Sequence, residues 1–183
     1  MNVGLSAWII QDGNYGDFES GRIYRFALEF YPEDLSPSVA TPTPCLRSAA
    51  GAHYDAVGAI IRATDSNWVI DFGVPTFQNS RPPKWAKQGL SVQGRIYIGI
   101  DPFFYFEGLK DKPGMPDLVR EWRVRRILLE TTPWTTSIDT HGRSIISRAP
   151  VAPTFKEVSK TDAWHDDKGN GHYILECDLQ EVG

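Results

Sequence analysis

The fold is decided by residues 54–73, which read YDAVGAIIRATDSNWVIDFG. Two runs rich in β-branched and aromatic residues flank the polar triplet at 65–67, a pattern typical of two strands joined by a short turn. Farther along, residues 91–101 alternate between apolar and polar side chains, as a half-buried strand does. The sequence therefore predicts a β-rich domain built around this hairpin and the strand that follows it.

Alternation with the same period is found at residues 21–31 and 172–179. Cys177 falls on the apolar face of the second segment, which predicts a small core residue. Residues 122–129 begin with apolar side chains on one face and end with them on the other. This change of parity predicts a β-bulge near Arg125.

The fold class follows from the order of the elements between residues 54 and 129. That order is strand, turn, strand, loop, strand, short helix and strand, which resembles the layout of a small five-stranded barrel of the OB type. Glycines inside predicted strands, such as Gly58, relieve crowding where a strand bends around a barrel. We expect a mainly β fold, an antiparallel sheet closing into an OB-like or similar small barrel. One or two short helices are predicted at residues 83–88 and 116–121, which both open with proline.

A chain of 183 residues suits a single domain, and we expect one over residues 1–183. Its barrel-like core is predicted at about 52–130. An N-terminal hairpin at 5–31 and an acidic C-terminal hairpin at 155–181 are expected to pack onto it. The tract at 131–153, rich in Thr, Ser and Pro, is predicted to be a long surface loop.

A similarity within the chain leaves an alternative open. Residues 8–10 read WII and residues 68–70 read WVI, and the letters GRIY occur both at 21–24 and at 94–97. The pattern indicates either a diverged duplication or two unrelated hairpins. Hairpins can converge on the same residues because Trp, β-branched residues and Gly fit a pleated surface.

Location and cofactors are predicted from the cysteines and the N-terminus. The chain has two cysteines, Cys45 and Cys177, and its first residues include no basic stretch followed by an apolar one. Small secreted domains usually carry more cysteines and a signal peptide. We expect a cytoplasmic protein with two reduced thiols, no membrane segment, no bound metal and no cofactor.

Charge is unevenly distributed along the chain. The net charge is −4, of which residues 157–183 contribute −5 and residues 1–156 contribute +1. An acidic end disfavours nonspecific binding of nucleic acid and suits a basic partner. Asp166 and Asp167 belong to this end and are predicted to contact the partner.

Consecutive aromatic residues at 103–106 form the next candidate surface. Four aromatics in a row cannot all face one core in an extended chain, and exposed aromatics often anchor partners or stack on bases. We predict partner contacts by Phe103, Phe104 and Tyr105. The alternative is that the run fills two small cores, one on each side of the sheet.

A basic strand at residues 120–126, with a charge of +3, forms the last candidate surface. Arginine beside tryptophan suits phosphate and base contacts, or cation–π packing inside the protein. We predict partner contacts by Trp122, Arg123 and Arg125. The alternative is a solvated strand face whose arginines pair with neighbouring carboxylates.

Histidines are the remaining candidate chemical groups. His165 and His172 flank the turn at 166–171 and would face each other across a tight hairpin, with aspartates nearby for a metal. His141 shares a strand face with Ser137 and Asp139. Adjacent positions on one strand do not give the geometry of a catalytic triad, and no catalytic motif is present, so no catalytic residue is assigned.

These observations favour a non-enzymatic, cytoplasmic protein-binding module. Its most specific form is a bacterial immunity protein that neutralises a basic toxin domain by complementary charge. The alternative function is an OB-like protein that binds single-stranded nucleic acid. The third is a small hydrolase or metal enzyme that uses His141 or the pair His165 and His172. The expected partner is another protein, and no membrane partner is expected.

Overall fold

The computed structural model describes residues 1–39, 43–138 and 140–180. The fold is mainly β, as predicted, with two short helices and a 3-10 turn. The strands in chain order are β1 (Asn2–Ser6), β2 (Ile23–Phe26), β3 (Leu28–Pro32), β4 (Ser36–Pro37), β5 (Cys45–Ser48), β6 (His53–Ala63), β7 (Trp68–Asp71), β8 (Pro75–Gln78), β9 (Ser91–Ile100), β10 (Arg120–Glu130), β11 (Trp134–Ile138), β12 (Ser144–Arg148), β13 (Phe155–Val158) and β14 (His172–Leu179). The helices are α1 (Ala7–Gln11) and a π-helical turn (Tyr105–Leu109), and the 3-10 turn is Asp166–Gly169.

Five strands close into a barrel in the spatial order β3, β8, β7, β6 and β9. β9 closes the ring by pairing with both β6 and β3, and all pairs are antiparallel except β3 with β8. The predicted small closed barrel is confirmed, and its OB-like character is not. The barrel takes β3 from before residue 52 and leaves β10 outside, which corrects the predicted core of 52–130.

The predicted hairpin at residues 54–73 is β6 and β7 of the barrel. Inside the barrel, Phe30 of β3 packs edge to face on Trp68, with ring centroids 5.0 Å apart. Gly58 lies in β6 close to the end of β7, and a Cβ there would lie 2.7 Å from the backbone oxygen of Asp71. The glycine is therefore required by close approach of the strands.

A second group of strands extends the sheet beyond the barrel. β1 runs beside β9, β14 pairs with β1, and β10 pairs with β14 along its length. The other edge of β10 is covered by β2 and then by β13. The register between β10 and β14 shifts between Val124 and Arg126, which confirms the predicted bulge. The extra residue returns Ile127 and Leu129 to the core face, where Trp122 and Val124 already lie.

The predicted N-terminal hairpin at 5–31 is wrong. Residues 7–11 form α1, in which Ile9 and Ile10 are buried while Trp8 is exposed. The segment predicted as one strand at 21–31 is β2 and β3, which separate at Ala27 because β2 joins β10 and β3 joins the barrel. The alternation of apolar and polar residues indicates extended backbone, but it does not show that the neighbouring strand changes at Ala27.

The predicted C-terminal hairpin at 155–181 is also wrong. β13 and β14 lie on opposite sides of β10 and do not pair with each other. β14 itself has the bounds predicted for it, and Cys177 is a buried core residue with a free thiol, as expected. Burial raises the pKa of the Cys177 thiol to about 12, so the thiol stays protonated.

The predicted helices at 83–88 and 116–121 are absent from the described structure, which has turns and extended backbone there. The two copies of the internal similarity differ as well. Trp8 is an exposed helical residue, whereas Trp68 is buried in a barrel strand. Among the residues with described positions, no helix is long and apolar enough to cross a membrane.

Candidate functional site

Two arginines of the basic strand pair with carboxylates of the neighbouring strands. Arg125 of β10 lies 3.1 Å from the carboxylate of Asp178 on β14. Arg126 bridges two carboxylates, Glu157 at 2.8 Å on β13 and Glu176 at 3.1 Å on β14. Arg125, which the sequence predicts as a partner contact, therefore belongs with Arg126 to a cross-strand ion-pair network.

The acidic end is the other half of the same network. Three of its acids, Glu157, Glu176 and Asp178, are the partners of the β10 arginines. The chain thus folds its two most charged segments against each other. This pairing weakens the argument from charge both for a basic toxin and for nucleic acid, since Arg125, Arg126 and three of the acids are partnered within the chain.

Of the other residues predicted on this strand, Trp122 is fully buried. Its ring stacks on Phe26 and its indole nitrogen donates a hydrogen bond to the Phe26 carbonyl at 3.2 Å. The prediction of a partner contact at Trp122 is wrong, because the strand turns this side chain into the core. Arg123 is exposed, and its guanidinium donates to the Gly21 carbonyl at 3.4 Å.

The aromatic run turns into the π-helical segment. Tyr105 is buried in a second, smaller core outside the barrel, and its hydroxyl donates to the Pro116 carbonyl at 3.0 Å. Burial excludes the predicted partner contact at Tyr105. Phe103 stacks on Phe106 with centroids 4.6 Å apart, and Phe104 is 43 % exposed. Tyr105 and Phe106 pack into the same small core, so the alternative of one core on each side of the sheet is not confirmed, and Phe104 is the exposed ring of the run.

The predicted aspartates serve as internal acceptors. Asp166 accepts a hydrogen bond from the Tyr173 hydroxyl at 2.9 Å. Asp167 accepts from the Trp134 indole at 2.8 Å and from Arg148 at 2.6 Å. The predicted binding residues therefore do not form one surface. Most of them make internal contacts, as core side chains, ion-pair partners or hydrogen-bond acceptors.

An exposed hairpin, here called the arm, consists of β11 and β12. These strands pair only with each other in the described structure, so both edges of the arm are open. One face carries Trp134, Ile138 and Ile146, with Ile138 74 % and Ile146 69 % exposed. Exposed apolar side chains clustered on one element are typical of interaction surfaces.

The base of the arm is fixed to the body through Arg148. Its guanidinium lies 4.0 Å above the Trp134 ring, donates to the Thr132 carbonyl at 2.7 Å and pairs with Asp167 at 2.6 Å. A fourth contact reaches Glu130 at 3.8 Å. The arm therefore has a defined position at its base, although an isolated two-stranded hairpin is only marginally stable in water.

Two cavities flank His172 near the base of the arm. The larger, of about 400 Å³, lies beside His53, Glu130 and Phe155, and the smaller, of about 200 Å³, lies beside Ser6. The Nε2 atom of His172 is 2.7 Å from the Ser6 hydroxyl. Burial lowers the pKa of His172, the Glu130 charge acts in the opposite direction, and the Arg148 charge lowers it further.

The predicted pairing of His165 with His172 is wrong. His165 is exposed and contacts Asp162, with Nδ1 2.8 Å from the carboxylate, because residues 166–169 form a 3-10 turn and not a hairpin. No cluster of three metal-binding side chains occurs within 1–39, 43–138 and 140–180. His141 lies in the turn of the arm, and Asp139, its predicted neighbour on one strand face, lies outside the described residues.

Comparisons with protein-family models, curated proteins and solved structures find no match for this chain.

The hairpin of the arm corrects the predicted surface loop at 131–153, although the sequence contains a signal for it. Residues 134–138 and 144–148 are rich in Thr and Ile and flank a turn with Gly142, the usual composition of a hairpin. No signal in the sequence alone links Ser6 to His172, because their contact depends on the pairing of the first strand with the last.

Proposed function

We propose that this chain is a protein-binding module that inserts its arm into a groove of another protein. The observation that carries the proposal is the exposure of Ile138 and Ile146 on a hairpin with two open edges. Apolar side chains supply the contact area, and the open backbone edges offer hydrogen bonds to a strand of the partner.

A groove fits the arm better than a flat surface does. A stable interface buries roughly 800 Å² on each partner, which is more than the few apolar side chains on one face of the arm can supply. Ile145 is exposed on the opposite face, beside Ser137. A partner that contacts both faces and the edges reaches a sufficient area, whereas a second copy that lays its own arm against one face does not.

The fixed base of the arm supports tight binding. Arg148, Trp134 and Asp167 form a connected set of contacts that orient the hairpin before a partner arrives. Less conformational entropy is then lost on association. The far end of the arm, with Ile138, enters the groove most deeply in this proposal.

The immunity protein is the most specific form of the same proposal, with a cytoplasmic location. In this form the groove belongs to a toxin domain, and recognition depends on apolar contact rather than on opposite charge. Binding of single-stranded nucleic acid is not proposed, because Trp122 is buried and both Arg125 and Arg126 are paired with carboxylates.

The test compares the arm with a matched position on the body. We expect the full chain, purified from its native cells, to retain one partner in near-equal amount. The double variant Ile138→Thr and Ile146→Thr keeps β-branched side chains but removes apolar contact. We expect it to bind the purified partner about 10-fold to 100-fold more weakly in calorimetry, as for loss of two interface anchors.

Ile23→Thr is the control, since Ile23 is also an exposed strand isoleucine but lies on β2. This variant is expected to bind like the wild type. Equal affinity of the double variant and the wild type would overturn the proposal, as would the lack of any partner in stoichiometric amount. In the immunity form, the partner alone arrests growth, and the wild type but not the double variant restores it.

A further inference from the structure

Three polar side chains form a row across adjacent strands of the second group. Ser6 of β1 is directly opposite His172 of β14. Glu130 of β10 lies one residue beyond the pair Leu129 and Tyr173, which places it beside His172. Directly opposite residues in antiparallel strands point to the same face, so His172 lies between a hydroxyl and a carboxyl group.

The contact between Ser6 and His172 has the geometry of a nucleophile and its base. The Ser6 Oγ and His172 Nε2 atoms are 2.7 Å apart. A neutral imidazole can take the proton of a serine hydroxyl at this distance, and an acid on its far side favours the imidazolium that forms. Burial keeps the His172 pKa below the ordinary imidazole value, so the ring is in the neutral form at pH 7.

The hydroxyl of Ser6 opens into a cavity of about 200 Å³. The walls are largely aromatic, from Trp8, Tyr31 and Tyr97, and His172 lies at the boundary with the larger cavity. Apolar walls with a few convergent polar groups are typical of sites for small ligands. The volume and the walls suit a short acyl chain.

Tyr97 supplies a donor to the same cavity. Its hydroxyl lies against Gly4, where an added Cβ would be 1.6 Å from the hydroxyl oxygen. Gly4 precedes Ser6 by two residues on the same strand face, roughly 7 Å away. Burial raises the pKa of Tyr97 to about 12, so the group remains a donor at neutral pH.

We propose that Ser6 is a nucleophile activated by His172 and directed at small apolar esters. The Ser6 oxygen attacks the carbonyl carbon while its proton passes to His172 Nε2. The bond from carbon to the alkoxy oxygen then breaks, and the alcohol leaves with that proton. Water attacks the acyl-serine in the second half, which releases the acid and restores the hydroxyl. Tyr97 donates to the carbonyl oxygen, and Glu130 is a positioning residue for the imidazole.

The test uses a fluorophosphonate with a short alkyl chain on the full-length protein. Attack by Ser6 forms an oxygen–phosphorus bond, releases fluoride and leaves an adduct that intact mass spectrometry counts. We expect one adduct per chain, mapped to Ser6. Ser6→Ala lacks the attacking oxygen and should form no adduct at this position, whereas His172→Gln should react about 100-fold more slowly, in line with loss of a positioned base.

Two further variants separate chemistry from folding. Ser20→Ala is the matched control, because Ser20 is exposed on the body and its hydroxyl bonds to a backbone carbonyl. It should react like the wild type. Glu130→Gln removes the charge that favours the imidazolium, so the acid limb of the reaction rate should move to lower pH. A merely unfolded variant would lose reactivity at every pH.

The proposal is overturned if the folded wild type forms no adduct, or if adducts are spread over several residues. It is also overturned if Ser6→Ala reacts like the wild type. The proposal is independent of partner binding by the arm, and the arm double variant is expected to react like the wild type. Hydrolysis of 4-nitrophenyl acetate, with Ser6→Ala as the blank, tests the complete cycle.

Discussion

The outer face of β10 and the arm are both exposed β-structure, but their side chains are partnered differently. On β10, Arg125 and Arg126 each contact carboxylates of adjacent strands. On the arm, Ile138 and Ile146 extend toward solvent. The charged segments are the obvious candidates for binding in the sequence. In the fold, however, Arg125 and Arg126 form ion pairs with carboxylates of the acidic segment. In our proposal, the surface that a partner contacts consists of the Ile, Thr and Trp residues of the arm.

The largest expected effect is a difference in the free energy of unfolding between substitutions of two tryptophans, one on β10 and one on the arm. Trp122 is fully buried on β10, and Trp122→Ala should lower the free energy of unfolding by about 3–5 kcal/mol through loss of packing. Trp134 lies at the base of the arm, and Trp134→Ala should cost only about 1 kcal/mol through loss of a cation–π contact and a hydrogen bond. Urea denaturation measures both. Equal losses would mean that the arm is as integral to the fold as β10.

The next largest effect is expected from a buried acid of the body, whose ionisation should lower the free energy of unfolding. Asp101 is fully buried, and burial raises its pKa to about 7. The unfolded chain then ionises first, so the free energy of unfolding should fall as pH rises from about 4 to about 7 and stay level above that. Asp101→Asn cannot ionise and should lack this fall, whose size is on the order of a few kcal/mol.

Chemical denaturation of both proteins between pH 4 and pH 8 gives the measurement for Asp101. Asp178→Asn serves as the control, because that carboxylate is exposed and paired with Arg125. A difference between wild type and Asp101→Asn that stays constant with pH would contradict the raised pKa.

A smaller and local effect should follow from Arg148→Gln. Arg148 holds the base of the arm through the Thr132 carbonyl and Asp167. Loss of charge-assisted hydrogen bonds of this kind costs about 1.5–3 kcal/mol. We expect backbone amides of β11 and β12 to exchange hydrogen roughly 10-fold to 100-fold faster, while the barrel amides keep their rates. Unchanged exchange in the arm would show that Arg148 does not fix it.

The smallest effect is expected for Arg126→Gln on the outer face of β10. Its two ion pairs are largely exposed. Exposed ion pairs contribute little to stability and weaken with salt. The change in the free energy of unfolding should therefore be the smallest of the four and should shrink in 1 M salt. A loss as large as that of Trp122→Ala, unchanged by salt, would show that the network is essential to stability.

Local features of the fold could be predicted from the sequence, whereas long-range pairing could not. The hairpin of β6 and β7, the bulge in β10 and the bounds of β14 follow from alternation and turn composition. Alternation does not tell which strand lies beside which. For this reason the sequence predicts β2 and β3 as one strand and β13 and β14 as one hairpin. In the structure β10 lies between β13 and β14.

The candidate sites depend on the same long-range information. Trp122 was predicted to contact a partner because Arg residues surround it, yet strand alternation turns it inward. Ser6 and His172 are separated by almost the whole chain, and only the pairing of β1 with β14 brings them together. The arm is the exception, because Thr and Ile around Gly142 indicate a hairpin, although the prolines on either side of it, at 133, 150 and 153, favour a loop.

The central claim, that a partner contacts the arm and not the charged strand, is tested most directly by photo-crosslinking. A benzoylphenylalanine is placed at position 146 of the arm in one protein and at position 123 of β10 in another, and both are irradiated in native cells. We predict one protein adduct of defined mass from position 146 and none from position 123. An adduct from position 123 with none from position 146 would contradict it.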